Sequence, residues 1–145
     1  MKEIYLRLIE LIEPISFLKW TDLDKGQLES QSRPAVAFPT CLIKIEFPKT
    51  ENQTRKVQRC NVLITLRVAF DFVGSRAIQT PESVRNQSLE YFDNIQILYE
   101  ALQGQTCINN QTLERIGMRE EDREDQLKVI NLYFQTTYID TTAQL

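Results

Sequence analysis

The sequence predicts an α+β fold, in which an antiparallel sheet with one long hairpin is covered on one face by two helices. Two kinds of pattern lead to this prediction: an alternating apolar run at 60–73, and helical spacings of three and four at 2–13 and 81–102. β-branched and aromatic residues fill the run without Gly or Pro, which is typical of a central strand. The expected order is α-β-β-β-α-β, with one further short strand left open, in a single domain over 1–145.

The first helix is predicted over 2–13, where apolar residues form a broad face and Glu3, Arg7 and Glu10 form a narrow charged stripe. Pro14 ends this helix, because the residue before a proline is pushed out of the helical region. A face this wide suits a helix that packs on the sheet and also touches a neighbouring subunit.

The segment after this helix is less regular. Residues 15–20 alternate as in a short strand, and a turn-rich loop is predicted over 21–27. The acids of this loop have a spacing found in calcium-binding loops, but Gln27 and Arg33 stand where that motif needs Gly and Glu. We therefore predict a solvated loop and no metal site.

A long hairpin is predicted to follow. Two prolines favour an extended edge segment over 30–39, because neither can donate to a ladder. A strand is predicted over 40–47 and is ended by Pro48. The polar connection at 49–59 joins this strand to the central run at 60–73, so we interpret it as the long arm of the hairpin.

The arm is locally basic, through Lys49, Arg55, Lys56 and Arg59. One interpretation is a solvated hairpin tip, and the other is a projecting arm that touches a partner or a nucleic-acid backbone. Aromatic residues do not interleave with these cations, so a base-stacking surface is not indicated. We expect no sequence-specific binding of nucleic acid.

The strongest helix pattern follows a start signal at 80–82. Thr80 is expected as the N-cap, Pro81 as the first helical residue and Gly104 as the stop. Its apolar face recurs at spacings of three and four and comprises Val84, Ser88, Tyr91, Phe92, Ile95, Leu98, Tyr99 and Leu102. This face is the expected cover for the apolar face of the central strand.

The C-terminal part is predicted to hold one further clear strand, over 129–138. A short strand that enters a turn is predicted within 106–116, and the charged run at 119–125 is expected in solvent. Residues 141–145 are expected to be a frayed end.

Histidine and the sequence motifs of several common catalytic and cofactor sites are missing, and the plentiful carboxylates lie in polar runs where solubility explains them. There is no histidine, and Cys41, Cys60 and Cys107 lack the Cys-x-x-Cys spacing of a structural zinc site. No Gly-rich phosphate loop and no Gly-x-Ser-x-Gly motif is present. We therefore predict that this protein is not an enzyme and has no catalytic, cofactor-binding or metal-binding residues.

Composition indicates the compartment and gives no support for a membrane partner or for general nucleic-acid binding. The cysteines are odd in number and widely separated, which favours a reducing, cytoplasmic location. No apolar run approaches the roughly 18–20 residues needed to span a bilayer, so no membrane partner is expected. The net charge of −3 gives no reason to expect general affinity for nucleic acid.

Charged and aromatic residues give the candidate interface. The acids of the run, expected in solvent and interleaved with arginines, are Glu120, Glu121, Asp122, Glu124 and Asp125. Asp71 lies on the outer face of the central strand, where Arg67 is its expected partner. Trp20 has two interpretations, burial in the core or an anchor at an interface.

The order of elements, at this length, resembles the small α+β tail-terminator and tail-completion proteins (minor tail proteins) of long-tailed phages and prophages. The stretches that carry the resemblance are Trp-Thr-Asp-Leu-Asp-Lys-Gly-Gln-Leu at 20–28, Arg-Pro-Ala-Val-Ala-Phe-Pro at 33–39 and the helix at 81–102. The resemblance spans most of the chain.

This resemblance implies a structural protein without catalysis, present in the cytoplasm of a bacterial host and then in the virion. Such proteins form a hexameric ring at the end of the tail tube, stop tube growth and offer a surface to the head connector. The implied partners are further copies of the chain and other tail or head-connector proteins.

A ring needs a heterologous interface, in which different surfaces of neighbouring subunits meet. The basic arm and the acidic run are opposite in charge, and we expect them to meet across that interface. The alternative function is a small intracellular protein-binding or regulatory domain, monomeric or dimeric. Such a domain would hold its partner with Trp20 or with the outer face of the sheet.

Overall fold

The computed structural model describes residues 1–29, 35–71 and 79–144, and it has the predicted α+β class. One sheet has the strand order β1-β2-β3-β7-β6, and β4 and β5 form a separate small hairpin. The strands are β1 (Trp20–Leu23), β2 (Thr40–Thr54), β3 (Val57–Phe70), β4 (Thr106–Ile108), β5 (Gln111–Thr112), β6 (Glu114–Glu120) and β7 (Lys128–Asp140). The α-helices are α1 (Lys2–Ile12), α2 (Glu82–Ser88) and α3 (Glu90–Leu102).

The sheet is antiparallel except at one edge, where β1 pairs with β2 in parallel. The prediction of a strand over 15–20 was wrong, because the strand begins at Trp20 and continues through the segment expected to be a loop. Ile15 and Phe17 belong to the core instead of a strand. β1 has only four residues, so its sequence shows almost no alternation of apolar and polar side chains. Its extended conformation comes from pairing with β2.

The predicted hairpin is confirmed, but its arm is strand and not loop. The prediction that Pro48 ends the first strand was wrong, because β2 continues to Thr54. The pairing of β2 with β3 shifts register between Glu46 and Lys49. Such a bulge tolerates a proline, which has no N–H to give to the ladder. The arm is therefore a ribbon continuous with the sheet.

The long helix predicted to start at Pro81 is two helices, α2 and α3, separated at Leu89 (φ −98°, ψ 0°). Pro81 is the residue before the first helical position. Gly104 follows the end of α3 with φ +76°, a conformation that glycine adopts without strain. The expected stop is confirmed.

The core lies between the helices and one face of the sheet. The apolar face of β3 meets α3 as predicted, and the rings of Phe70 and Tyr91 have centroids 5.9 Å apart. Residues buried in this core include Ile4, Leu8, Ile43, Val62, Ile64, Leu66, Tyr91, Ile95, Leu98, Leu132 and Phe134. Val84 and Phe92 were assigned to the same helical face, and both are exposed.

The other face of the sheet, which we call the open face, carries a second small apolar cluster at one end. Leu28, Leu42, Ala69 and Val129 are buried there, with Phe38 and Leu127 packed around them. This cluster anchors the 3₁₀ turn at Gln27–Glu29 and the connection between β6 and β7 on the open face. Both segments carry the charged residues described next.

Candidate assembly surfaces

A network of ion pairs on the open face is centred on Arg67 of β3. Its guanidinium donates two hydrogen bonds of 2.8 Å to the carboxylate of Glu121. It also contacts Asp24 at 3.3 Å and Glu29 at 2.7 Å. The Arg67 side chain is only 13% exposed. The expected partner of Arg67 was Asp71. The arginine is instead bound by these three acids, which are distant from it in sequence.

Arg123 extends the network into the connection after β6. It donates to Glu121 at 3.0 Å and to Asp125 at 2.6 Å. A further bond of 2.6 Å from its guanidinium reaches the carbonyl oxygen of Leu28. Arg123 therefore fastens the β6–β7 connection to the 3₁₀ turn.

The network changes the acidity of its members. Burial raises the pKa of Glu121, but hydrogen bonds from Arg67, Arg123 and Asn131 outweigh burial and hold that pKa below its ordinary value. The guanidinium of Arg123 likewise lowers the pKa of Asp125. Both carboxylates are therefore stabilised as anions in the folded state.

The acidic run is only partly available to a partner. Glu120 pairs with Lys128, while Glu121 and Asp125 belong to the network. The expectation that the whole run lies in solvent was wrong for Glu121, which is only partly exposed. Within the described residues Asp122 and Glu124 make no ion pair, and they are exposed.

The basic arm lies at the opposite end of β3 from this run. Lys49 pairs with Glu51 at 2.8 Å, and Arg59 stands across from Glu51 in the strand register. Arg55 and Lys56 form the exposed turn between β2 and β3, and no ion pair to either is found in the described parts of the chain. Whether the arm binds protein or DNA stays a prediction.

Trp20 begins the edge strand β1 and is 43% exposed. Burial in the core, one of its two interpretations, is therefore wrong. The other interpretation, an interface anchor, stays a prediction. Its register partner on β2 is Thr40. Thr40 is on the same face of the sheet as Leu42, which belongs to the apolar cluster of the open face.

A groove that the sequence did not predict runs between α1 and the β1 edge; we call it the α1–β1 groove. Its volume is about 470 Å³. Its apolar lining includes Met1, Tyr5, Leu23, Ile43 and Ile45. Its charged lining consists of Lys2, Lys25 and Lys44 together with Asp24, which is paired with Arg67.

A second groove, the α3–β6 groove, lies at the other edge of the sheet and has a volume of about 330 Å³. Phe92 and Met118, each 53% exposed, both line it. The guanidinium carbon of Arg115 lies 3.9 Å from the centre of the Tyr99 ring, which is a cation–π contact. Phe92, Ile95 and Tyr99 of this groove were all assigned by the sequence to the helical face that covers the core, and of the three Phe92 is exposed.

A polar cleft of about 460 Å³ lies on the open face, where β6 begins. Glu114 is the one acid in its described lining, and Gln135 donates to it at 3.1 Å. The other polar groups are amides and hydroxyls, among them Asn61, Gln111, Thr112 and Thr137. This arrangement does not supply the paired carboxylates that general acid–base catalysis requires.

The three cysteines are free and buried. Burial raises the pKa of Cys41 to about 12, so its thiol is not an activated nucleophile. The described residues contain no group of three or more potential metal ligands. No helix in the described ranges is long and apolar enough to cross a membrane.

No protein-family model matches this chain, and no curated protein does. Among solved structures, the chain is similar to a chain of the structure described as the virion of a native gene transfer agent (GTA) particle. This similarity has a TM-score of 0.49 and 10% sequence identity, and it covers 94% of this chain and 92% of the other. A similarity of this size does not assign a function.

Proposed function

We propose that this protein is a non-catalytic structural component of a phage or prophage tail. In this role, copies of the chain assemble into a ring that terminates the tail tube or joins the tail to the head. The proposal combines the sequence resemblance with one feature of the molecule, namely that exposed apolar side chains are found at both edges of a single sheet.

This feature supports assembly because exposed apolar patches rimmed by charges are typical of protein–protein contacts. Trp20 and Leu23 lie on the β1 edge, and Phe92 and Met118 flank the β6 edge. A subunit whose contact sites differ and lie at opposite edges builds rings or filaments rather than symmetric dimers. The tail-terminator role and the number of six copies come from the resemblance.

The two ends of the sheet strands suit contacts with other proteins of the particle. The basic arm lies at one end of β3, and the exposed acids Asp122 and Glu124 lie near the other. The arm of one copy can therefore pair with these acids of another copy, as the sequence predicts. Charges that this pairing leaves free are available to other tail or head-connector proteins.

The experiment is to measure the mass of the purified chain by multi-angle light scattering and to image it by negative stain. A closed ring of six copies, each of 17.0 kDa, is the expected result. A monomer or a symmetric dimer at every concentration would contradict the proposal. It would favour the alternative, a small intracellular protein-binding or regulatory domain.

A further inference from the structure

The exposed large apolar side chains of the described residues are concentrated at the two edges of the sheet. Met1, Trp20 and Leu23 are at the β1 edge, and Phe92, Ile97, Ile116 and Met118 are on α3 and β6. The remaining two, Leu6 and Val84, lie on α1 and α2. Neither the basic arm nor the middle of the open face carries one. Within the described residues, the large exposed apolar side chains thus lie on helices and edge strands, except Met1, which directly precedes α1.

The two grooves at these edges have the same construction. Each lies on the helix-covered side of the sheet, between one helix and one edge strand. Leu23 shares its face of the sheet with its register partner Ile43, and Met118 shares its face with Leu132. Both of these partners belong to the core. Each groove therefore continues the apolar core to a solvent-exposed edge of the sheet.

The two grooves differ in charge: three lysines and Asp24 line the α1–β1 groove, whereas Glu100 and Arg115 line the α3–β6 groove. Lys2, Lys25 and Lys44 line the α1–β1 groove. The nearest acids of Lys25 and Lys44 are Asp22 at 3.5 Å and Glu46 at 3.4 Å, both long contacts between exposed side chains. These lysines can therefore exchange their partners at little cost.

The exposed face of α3 is acidic. Glu90 and Asp93 stand in its first turn, and Glu100 lines the α3–β6 groove. Among the residues that the structure describes, no cation pairs with any of these three acids. The one neighbouring arginine of the groove, Arg115, rests on the Tyr99 ring. Although Arg115 lies in the groove, α3 itself carries three acids and no basic residue, so this helix has the charge opposite to that of the three lysines.

We propose that the α3–β6 groove of one copy packs against the α1–β1 groove of the next copy. The chain itself carries the complement of each groove, in apolar surface and in charge, so the occupant is a second copy of this chain. The contact is heterologous, because the two grooves lie at opposite edges of one sheet. This inference rests on the proposed function, since it names the surfaces through which a ring would form.

The test uses two variants that each remove one half of the contact. The first is Phe92→Ser with Met118→Ser, and the second is Leu23→Ser with Lys25→Ser, because Leu23 and Lys25 both line the α1–β1 groove. Gln135→Ser, exposed on the open face, is the matched control. Circular dichroism and urea denaturation identify any variant that fails to fold. For such a variant, Asp93→Lys with Glu100→Lys, or Lys2→Glu with Lys25→Glu, replaces the serine pair, because these exposed charges lie outside the core.

The expected masses follow from the heterologous geometry. Each variant alone has the mass of one chain, whereas an equimolar mixture has the mass of two, because each variant retains the half that the other lacks. The control retains the mass of the wild type. A mixture that stays monomeric would overturn the proposal, and so would either variant that still forms the wild-type assembly.

The failure of this inference is distinguishable from the failure of the proposed function. A wild-type ring that both variants also form would refute the named surfaces and leave the assembly role standing. A wild-type chain that is monomeric at all concentrations would refute both. A variant with an intact α3–β6 groove that dimerises by itself would show a symmetric contact and would also refute the inference.

Discussion

Arg67 and Glu121 form a two-bond ion pair between residues 54 positions apart in the chain. The arginine belongs to the central strand, and the glutamate follows the edge strand β6. The pair therefore ties a connection of the chain to the middle of the open face. Both side chains are largely removed from water, so the attraction between them is screened far less than in an exposed pair.

The first prediction concerns acid pH. The folded-state pKa of Glu121 is below its unfolded value of about 4.3, so the stabilisation is fully present above that pH and is lost as pH falls through the folded pKa. The folded-state pKa of Asp125 is likewise below its unfolded value, which is about 3.9. We expect the free energy of unfolding, measured with urea, to fall steeply below about pH 4.5.

Glu121→Gln is the control for this prediction. It removes the titrating group and should cost about 1–3 kcal/mol at pH 7, because the bonded guanidinium of Arg67 loses its charged acceptor. The variant should then lose less stability than the wild type on going from pH 5 to pH 3. Parallel pH profiles for the two proteins would show that this carboxylate is not responsible.

The second prediction separates the core from the exposed face of α3. Leu98 is fully buried against the sheet, whereas its neighbour Ile97 is 46% exposed. Leu98→Ala should lower the free energy of unfolding by about 2–5 kcal/mol, through lost burial and a cavity. Ile97→Ala should change it by no more than about 0.5 kcal/mol when measured at a dilution where the chain is monomeric. Equal effects would mean that α3 does not cover the sheet through the face described.

The third prediction concerns the turn between β4 and β5. Asn109 and Asn110 have φ of 52° and 58°, and positive φ at both central residues defines the type I′ hairpin turn. The side chain of Asn109 also accepts a hydrogen bond of 3.1 Å from the N–H of Ile139, so Asn110 is the position to change.

Asn110→Gly should stabilise the protein by up to about 1 kcal/mol, because glycine adopts this conformation without strain. Asn110→Val should destabilise it by about 1–2 kcal/mol, because a β-branched residue fits poorly there. Thermal unfolding of the two variants gives the sign. Melting temperatures in the reverse order would show that this turn has another conformation.

Features set by residues close together in the sequence could be predicted, whereas features set by residues far apart in the sequence could not. The apolar faces of β3 and of the α3 part of the long helix were predicted, because burial of one face imposes a period within each element; residues 72–73 of the predicted strand lie outside the described residues. Trp20–Leu23 was missed as a strand because its conformation comes from pairing with β2. The partners of Arg67 were missed because they lie 38 to 54 residues away. Each groove forms where a helix packs beside an edge strand, and this tertiary packing leaves no pattern in the local sequence.

The last prediction concerns the basic arm. Within one chain the arm cannot reach Asp122 or Glu124, because the 14 residues of β3 separate the two ends by roughly 45 Å at about 3.3 Å per residue. Any pairing between them is therefore a contact between copies. Arg55→Glu with Lys56→Glu should weaken that contact without affecting the fold, since both side chains are exposed in a turn. Light scattering at low and high salt should show a smaller assembly, and less dependence of its mass on salt, than in the wild type.

A charge swap makes this prediction specific. Adding Asp122→Lys with Glu124→Lys to the arm variant restores opposite signs, so the mass and its salt dependence should return toward the wild-type values. Lys49 is already paired with Glu51, and Lys49→Ala, which leaves the arm tip unchanged, is the matched control and should retain the wild-type mass. If the arm variant keeps the wild-type mass and salt response, the arm makes no contact with the acidic run. Its cations would then be left for a different protein of the particle or for DNA, because the edge-to-edge contact does not use them.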